Sequence, residues 1–485
     1  MMTEKEKQLR DQALKEAEES RSRVEADPYR LRFHLMSPNG LINDPNGWIQ
    51  WNGAYHMFYQ WNPFKTGHGA KFWGHYISLD LVNWTHQPIA LAPSEWYEKN
   101  GCYSGSAVDL DGRLTLYYTG NVKDDEGNRS SYQCIAQSED GIHFEKQGPV
   151  IDELPEGFTA HFRDPKVWKQ NGRWYLVIGA QTEDMKGQAL LYRSDDGREW
   201  TNLGPVAGSG LAPLQDFGYM WECPDLFPLG DKDVLVVSPQ GLEPEGMHYQ
   251  NVYQAGYFVG ELDLESPAFH HGAFDELDRG FEFYAPQTTV DENGRRILVG
   301  WMGVPDQQED QHPTIENGWV HCLTIPRELQ LHGDRIIQKP AEELQALRAN
   351  EVVHEGVALK GRDVTLEGVS GDVLELEVDL NSTVPLFEID LRGEARLIFD
   401  REAAVLTLER KNFADRLTEK RQCHLEELRS LRLFLDTSSL EVFVNGGEEV
   451  FTARYFPSLE NHRISFGSSG PAEMTVRKWT LESRP

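Results

Sequence analysis

The stretch NDPNGWIQWNGAYHMFYQ, residues 43–60, contains the pattern that decides the fold. A short polar tag, NDPNG, precedes an alternating apolar run, an Asn-Gly turn and a second apolar run. Asn-Gly between alternating apolar runs is the strongest short-range signal for a β-hairpin, because both turn residues adopt positive φ. The stretch therefore predicts two antiparallel strands joined by a tight turn at Asn52-Gly53.

The same unit recurs five times, at intervals of about 60 residues. Each unit opens with a short acidic or polar tag and continues as a hairpin, and the first three units share a second, outer hairpin. The five tags are NDPNG (43–47), YSGS (103–106), RDPK (163–166), ECPD (222–225) and YAPQ (284–287). One supersecondary unit per period is typical of radial repeats. The repeat predicts a five-bladed β-propeller, in which equivalent positions of the units meet around one axis.

The rest of the chain divides into flanking and C-terminal parts, and the predicted fold class is all-β. A charged N-terminal helix is expected within residues 1–28, the propeller within 29–338, a short linking helix within 339–350 and an antiparallel β-sandwich within 351–485. Since no acidic tag recurs after residue 350, we expect the sandwich to have a supporting role, with carbohydrate binding as the lesser alternative.

Composition restricts the function classes. The chain has 47 basic and 78 acidic residues, a net charge of −31, which disfavours a nucleic-acid partner because such partners require a basic face. No apolar stretch reaches the length of a membrane span, and the N-terminus lacks a secretory pattern. The five cysteines stand singly, without disulfide or zinc spacing, so we expect neither metal nor cofactor and a reducing, cytoplasmic location.

Three tags place a carboxylate at equivalent positions, namely Asp44, Asp164 and Glu222. Radial geometry predicts that the three side chains meet. Glycosidic bond cleavage uses such a set, since it needs a protonated acid at the leaving oxygen and an ionised carboxylate as nucleophile or base. An Asp-Pro pair alone is a common turn former, and the tags could be scaffold. Scaffold, however, does not require three carboxylates.

The neighbours of each carboxylate predict its role. Glu222 lies in the apolar and aromatic run YMWECP (219–224), where desolvation would raise its pKa and suit it to acid/base catalysis. Asp44 is flanked by two asparagine amides that would stabilise its charge, which makes it the better nucleophile. Asp164 follows Arg163, which would keep it ionised and leave it to accept hydrogen bonds from sugar hydroxyls.

Several motifs, in the order in which they occur, resemble those of glycoside hydrolase family 32. They are NDPNG (43–47), FYQ (58–60), WGH (73–75), YSGSA (103–107), FRDPK (162–166) and ECPD (222–225). The resemblance covers about residues 30–480. It implies a catalytic propeller followed by a β-sandwich, and hydrolysis with retention of a β-fructofuranosyl bond in sucrose 6-phosphate or sucrose, without a cofactor.

The resemblance also implies the roles of individual residues. Asp44 would be the nucleophile and Glu222 the acid/base, while Asp164 and Arg163 would grip the fructosyl hydroxyls. The predicted substrate-binding residues are Asn43, Gln60, His68, Trp73, Tyr103, Ser104, Arg163 and Tyr284. From the residues alone, Trp73 fits either the site wall or the blade core. His68 stands where many family members carry a tryptophan, five residues before the WGH motif.

A phosphate on the glucosyl unit would require positive groups on the rim loops, against the overall negative charge. The candidates for this contact are His68, Lys71, Arg129, Lys186 and His248. We predict a lower KM for the phosphorylated substrate if at least two of them converge.

Two alternatives remain open. A five-bladed arabinan or xylan hydrolase would use an inverting geometry, with carboxyl groups about 6.5–9.5 Å apart rather than about 5–5.5 Å. A non-catalytic propeller would bind sugar or protein without turnover. In the leading hypothesis the partner is a small-molecule sugar, neither nucleic acid nor a membrane is bound, and the pattern specifies no oligomeric state.

Overall fold

The structure, a computed structural model, describes residues 2–359, 361, 363–380 and 384–482. An N-terminal α-helix precedes five antiparallel blades around one axis and two further sheets packed face to face. The predicted fold class, a five-bladed β-propeller followed by an antiparallel β-sandwich with an N-terminal helix, is confirmed. The domain boundaries stay a prediction, and their outer limits at residues 1 and 485 lie outside the described residues.

The first three blades each contain four antiparallel strands, and the first strand of each lies nearest the axis. Blade one comprises β1 (Gly40–Trp51), β2 (Ala54–Asn62), β3 (Phe72–Ser78) and β4 (Trp84–His86). Blade two comprises β5 (Cys102–Leu110), β6 (Arg113–Lys123), β7 (Arg129–Ser138) and β8 (Glu145–Ile151). Blade three comprises β9 (Phe158–Gln170), β10 (Arg173–Thr182), β11 (Gly187–Ser194) and β12 (Thr201–Gly208).

The last two blades are less regular. Blade four comprises β13 (Met220–Leu229), β14 (Lys232–Gln240), β15 (Gly256–Asp263), β16 (Ala268–His271) and β17 (Asp275–Glu276). The chain then forms β18 (Tyr284–Val290), β19 (Arg296–Trp301), β20 (Trp319–Val320), β21 (Arg327–His332) and β22 (Arg335–Pro340). Blade five contains all of these except β20, which pairs in parallel with β1. This pairing joins the last blade to the first and closes the ring.

The five tags interrupt the innermost strands in the same way. The register shifts at the tag in β1, β5, β9, β13 and β18. Asp164, Cys223 and Ala285 have φ of 70°, 48° and 47°, a left-handed backbone that residues other than glycine rarely adopt. The tags of all five blades line one small cavity of about 10 Å³ near the axis, and their bulges re-aim the side chains there.

The N-terminal helix α1 (Glu4–Glu25) packs against blade one. Its first turn is capped by the hydroxyl of Thr3, which accepts a backbone N–H. Ala13 is fully buried in the core of blade one, whereas Leu14 is half exposed. The described residues also contain short 3₁₀ helices at Trp96–Glu98, Glu309–Gln311, Pro313–Asn317 and Glu342–Leu347. No helix in the described ranges is both long and apolar enough to cross a membrane.

The C-terminal sandwich consists of two antiparallel sheets. Its strands are β23 (Arg348–Leu359), β24 (Leu374–Leu380), β25 (Leu386–Leu391), β26 (Ala395–Asp400), β27 (Val405–Lys411), β28 (Thr418–His424), β29 (Ser430–Asp436), β30 (Ser439–Val444), β31 (Glu449–Arg454), β32 (Ile464–Ser468) and β33 (Ala472–Leu481). One sheet has the order β23-β33-β24-β29-β30-β31 and the other β28-β27-β26-β25-β32. Alternate apolar side chains of both sheets form one core, as aligned sandwiches require.

A buried charged cluster joins the propeller to the sandwich, and we call Arg327, Asp278, Glu441 and His34 the junction cluster. Arg327 donates to Asp278 Oδ2 at 3.0 Å and to Glu441 Oε2 at 2.6 Å. His34 lies 3.0 Å from the other Glu441 oxygen. All four side chains are closed to solvent. The junction cluster therefore belongs to the domain interface and is not accessible to a ligand.

Candidate active site

A cavity of about 500 Å³ opens at the end of the propeller axis where the tags lie. Its floor carries Asp44 from blade one, Asp164 from blade three and Glu222 from blade four. Cys223 Sγ lies 3.8 Å from Asp44 Oδ2 and 3.7 Å from Asp164 Oδ2. The three carboxylates that are distant in sequence therefore meet, and together with Arg163 we call them the floor cluster.

Asp44 is fixed by two donors from the polypeptide around it. Ser104 donates its hydroxyl to Oδ2 at 2.5 Å, and Asn43 donates its amide to Oδ1 at 3.0 Å. Asn46 was expected to be the second donor, but the hydroxyl from blade two takes that place. Burial, reinforced by the nearby Glu222, raises the pKa of Asp44 above its ordinary value, although both hydrogen bonds oppose this shift.

Glu222 has polar partners on both carboxylate oxygens. Its Oε1 accepts hydrogen bonds from Arg163 Nε at 2.9 Å and from the terminal nitrogen Nη2 at 2.7 Å. Its Oε2 accepts from the Tyr284 hydroxyl at 2.6 Å and from Gln240 Nε2 at 2.9 Å. Burial alone would raise the pKa of Glu222, but Arg163 and Tyr284 outweigh it and the pKa is lowered. The sequence-based prediction of a raised pKa was wrong, because the aromatic neighbours do not isolate this carboxylate from donors.

Asp164 is less well compensated than the sequence predicts. The guanidinium of Arg163 donates to Glu222 on the next blade. Among the described residues, Asp164 Oδ2 accepts only the backbone N–H of Cys223, at 3.0 Å, besides the weak contact with its thiol. Burial raises the pKa of Asp164 to about 7, although the charge of Arg163 opposes the shift. The prediction that Arg163 keeps Asp164 ionised was therefore wrong. One buried and two partly buried carboxylates share one arginine, so the floor cluster retains a proton up to about neutral pH.

Most of the predicted substrate-binding residues line this cavity. They are Asn43, Gln60, His68, Tyr103, Ser104, Arg163 and Tyr284. Gln60 is held in place by donating its amide to the backbone oxygen of Cys102 at 2.9 Å.

Trp73 lies elsewhere, and the structure corrects the prediction that it binds substrate. Its side chain is fully buried, with its ring 5.9 Å from that of Phe58 and 6.1 Å from that of Tyr118. Its Nε1 donates to the backbone oxygen of Tyr103 at 3.2 Å. Because Trp73 fills the space between blades one and two, it supports the cavity wall from behind.

The rim residues proposed for a phosphate contact separate into two groups. His68, Lys71 and Arg129 line the cavity, whereas Lys186 and His248 do not. Lys186 is paired instead with Asp184 at 2.8 Å, and His248 lies 3.4 Å from Glu276. His68 is itself engaged, since its Nε2 lies 3.1 Å from Glu309 Oε1, in the segment that precedes β20.

Sequence reasoning missed Gln240 and Lys123, which both line the cavity. Each lies at the end of the second strand of its blade, Gln240 in β14 and Lys123 in β6. In an antiparallel hairpin the end of the second strand lies beside the start of the first, where the tag is. The position of both residues beside a tag could therefore have indicated them from the sequence. Within the described ranges, no group of three or more His, Cys, Asp or Glu side chains is arranged to hold a metal ion.

Comparison with known protein families gives a match over nearly the whole chain. Residues 34–340 match the glycosyl hydrolases family 32 N-terminal domain, and residues 343–482 match the family 32 C terminal domain. The chain is 54% identical to a sucrose-6-phosphate hydrolase of Bacillus subtilis over 481 residues, which cover 99% of this chain and 100% of that relative.

Solved structures show the same likeness. A sucrose-6-phosphate hydrolase of Lactobacillus gasseri matches with a TM-score of 0.87 and 30% identity, covering 97% of this chain and 96% of that one. A mutant β-fructofuranosidase of Bombyx mori in complex with sucrose matches with a TM-score of 0.86 and 35% identity, covering 98% and 99%. The likeness therefore extends through both the propeller and the sandwich.

Proposed function

The chain belongs to glycoside hydrolase family 32, and we propose that it hydrolyses the β-fructofuranosyl bond of sucrose 6-phosphate and of sucrose. The products are fructose and either glucose 6-phosphate or glucose. The observation that carries this proposal is the floor cluster, in which three carboxylates and one arginine meet at the base of an open cavity. The Bacillus subtilis relative is named for the phosphorylated substrate, and the Bombyx mori structure holds sucrose.

In the first step, Asp44 attacks the anomeric carbon of the fructosyl unit. Ser104 and Asn43 hold its carboxylate in place for this attack. The proton that the coupled floor cluster retains passes to Glu222, which donates it to the glycosidic oxygen. The carbon–oxygen bond breaks, and the glucosyl unit leaves as an alcohol. A fructosyl ester on Asp44 remains.

In the second step, Glu222 accepts a proton from water, and the water oxygen attacks the same carbon and displaces Asp44. Arg163 and Tyr284 support this step, since their hydrogen bonds stabilise the ionised form of Glu222. Two displacements at one carbon give net retention of configuration. Asp164 is not a nucleophile in this scheme. Its carboxyl group and the guanidinium of Arg163 position the fructosyl hydroxyls.

An activity panel tests the proposal. Purified enzyme is given sucrose, sucrose 6-phosphate, raffinose and inulin, and release of glucose, glucose 6-phosphate or fructose is measured, with Asp44→Asn as the matched control. We expect turnover of both sucrose and sucrose 6-phosphate by the natural enzyme only. Failure to release product from either would contradict the proposal and favour a non-catalytic sugar-binding propeller, an alternative that the comparisons do not support.

The stereochemistry separates this proposal from an inverting arabinan or xylan hydrolase. With methanol as acceptor, a retaining enzyme transfers the fructosyl unit to give the methyl β-fructofuranoside. Appearance of the α anomer, or turnover of arabinan or xylan instead of sucrose, would contradict it.

We place this activity in the cytoplasm. All five cysteines are unpaired, and four of them are buried, which suits a reducing compartment. Uptake coupled to phosphorylation would deliver sucrose 6-phosphate to such an enzyme. Fractionation of the native cells should find the activity with the cytoplasmic proteins, and activity in the medium would contradict this location.

A further inference from the structure

The rim of the cavity has an uneven charge distribution. Lys123 and Arg129 line the wall formed by blade two, whereas Asp306 lines the wall formed by the segment that follows β19 in blade five. Lys123 ends β6, Arg129 begins β7, and the two are direct partners in the antiparallel register. Two positive side chains are thus placed opposite each other at the end of one hairpin, above the floor cluster.

These two cations have no carboxylate partner among the residues that the structure describes. Neither side chain forms an ion pair with any residue that the structure describes, although the chain carries 78 acidic residues. The guanidinium of Arg129 lies 5.7 Å from the ring centroid of Tyr103. The nearby Asp124 carboxylate is occupied, since it accepts the backbone and side-chain N–H groups of Asn128 at 2.8 and 2.9 Å. Like charges directly opposite are destabilising, so this arrangement lowers stability unless an anion joins it.

A third basic group lies nearer the floor, where Asp44 and Glu309 act on its charge, and burial lowers its pKa to about 7. Lys71 lines the same cavity, its residue is only 4% exposed, and its Nζ has no hydrogen-bond partner among the described residues. A buried polar group without a partner is costly, and a buried charge more so. Because Lys71 is only partly charged near neutral pH, an anion bound at the rim would compensate the two facing charges of Lys123 and Arg129.

The position of Lys123 and Arg129 at the rim indicates which anion they bind. The fructosyl unit occupies the floor, so the leaving glucosyl unit must lie toward the rim. Phosphate accepts short, charge-assisted hydrogen bonds from lysine and arginine. Since the net charge of −31 repels a dianion over most of the surface, binding requires such a local concentration of cations.

We propose that Lys123 and Arg129 bind the 6-phosphate of the glucosyl unit and thereby set a preference for sucrose 6-phosphate over sucrose. This inference rests on the proposed function and identifies which wall of the same cavity holds the phosphate. The glucosyl ring then turns its phosphate toward blade two and its other hydroxyl groups toward Asp306.

The test compares kcat/KM for the two substrates in Lys123→Gln, Arg129→Gln and the double variant. Each single substitution should lower the ratio of kcat/KM for sucrose 6-phosphate to that for sucrose by about tenfold, since a hydrogen bond to a charged group is lost. Arg129→Lys should recover part of the ratio because the charge remains. Added salt should lower the ratio in the natural enzyme through screening.

Lys186→Gln is the matched control, because Lys186 is also a lysine on a loop but lies outside the cavity and is paired with Asp184. It should leave the ratio unchanged. Product inhibition gives a second measurement, since glucose 6-phosphate should inhibit more strongly than glucose and the double variant should lose this difference. Thermal unfolding shows that each variant is folded.

The outcomes are distinguishable from a failure of the proposed function. If both substrates are hydrolysed but the double variant keeps the natural ratio and the natural inhibition by glucose 6-phosphate, the phosphate assignment is overturned. If the natural enzyme hydrolyses neither substrate, the proposed function itself fails.

Discussion

The floor cluster and the junction cluster both bury carboxylates against an arginine, yet they differ in how completely the charges are compensated. At the junction, Arg327 joins one carboxylate from the propeller and one from the sandwich, and Thr452 donates further hydrogen bonds to Asp278. On the floor, three carboxylates share Arg163, and that arginine bonds only Glu222 among them. The junction is closed to solvent, whereas the floor opens into the cavity.

The difference indicates two uses of the same chemistry. Fully paired buried charges lock one domain arrangement, and removing one partner leaves the others uncompensated. Burial also raises the pKa of Asp278 at the junction, to about 6, but that carboxyl group has no access to a substrate. On the floor, carboxylates with shifted pKa values face an open cavity, which acid/base catalysis requires. The comparison therefore predicts that substitutions on the floor change activity more than stability, and that substitutions at the junction do the reverse.

Asp44→Asn should have the largest effect. It removes the proposed nucleophile while preserving shape, so kcat should fall by about 10⁴-fold or more. The melting temperature should stay the same or rise, because a buried carboxylate with a raised pKa is replaced by a neutral amide. Steady-state kinetics and thermal unfolding check both parts. A marked loss of stability would instead show that Asp44 stabilises the fold, as the carboxylates of the junction cluster do.

Glu222→Gln should come next, with a loss of about 10²–10⁴-fold on sucrose, as expected for a removed general acid. An aryl fructoside, whose leaving group needs no protonation, should lose much less in its first step. The double variant with Asp44→Asn should be no worse than the single Asp44→Asn variant, because the two groups act as a unit. Equal losses on sucrose and the aryl fructoside would rule out the acid role.

Arg327→Met should destabilise the protein by about 3–5 kcal/mol, because Asp278 and Glu441 are then buried without their partner. The enzyme that remains folded should keep a near-natural kcat. Arg113→Met is the matched control, since its pair with Glu139 is exposed and should contribute at most about 1 kcal/mol. Chemical denaturation measures both variants. A loss of activity in Arg327→Met without a loss of stability would break the distinction between the clusters.

The smallest expected effect is on the pH dependence of activity. Activity should fall at low pH as Asp44 is protonated, at a higher pH than for an ordinary carboxylate because burial raises its pKa. Activity should fall again above about pH 7. The pKa of Asp164 is about 7, so the floor cluster loses its retained proton above that pH. Both limbs belong to the coupled cluster. Removing the positive charge in Arg163→Gln should move the alkaline limb to higher pH, and a shift to lower pH would contradict this electrostatic account.

Much of the fold could be predicted from local signals, because the turn at Asn52-Gly53 and the recurring tags need no tertiary information. The meeting of Asp44, Asp164 and Glu222 also followed from the repeat. How protons are distributed among these carboxyl groups did not follow from the repeat, because successive side chains of a strand point in opposite directions. Arg163 therefore contacts Glu222 on the neighbouring blade rather than Asp164 beside it in sequence. Such contacts depend on how blades pack, which a linear motif does not contain.

The most direct test of the account is to trap the intermediate on the floor cluster. Glu222→Gln is mixed with an activated aryl fructoside, quenched rapidly and digested, and the peptides are analysed by mass spectrometry. The first step needs little acid assistance with this leaving group, but the second lacks its base, so the intermediate should accumulate. We predict a fructosyl adduct on the peptide that contains Asp44. An adduct on Asp164 or any other residue, or turnover with no adduct, would contradict the central claim.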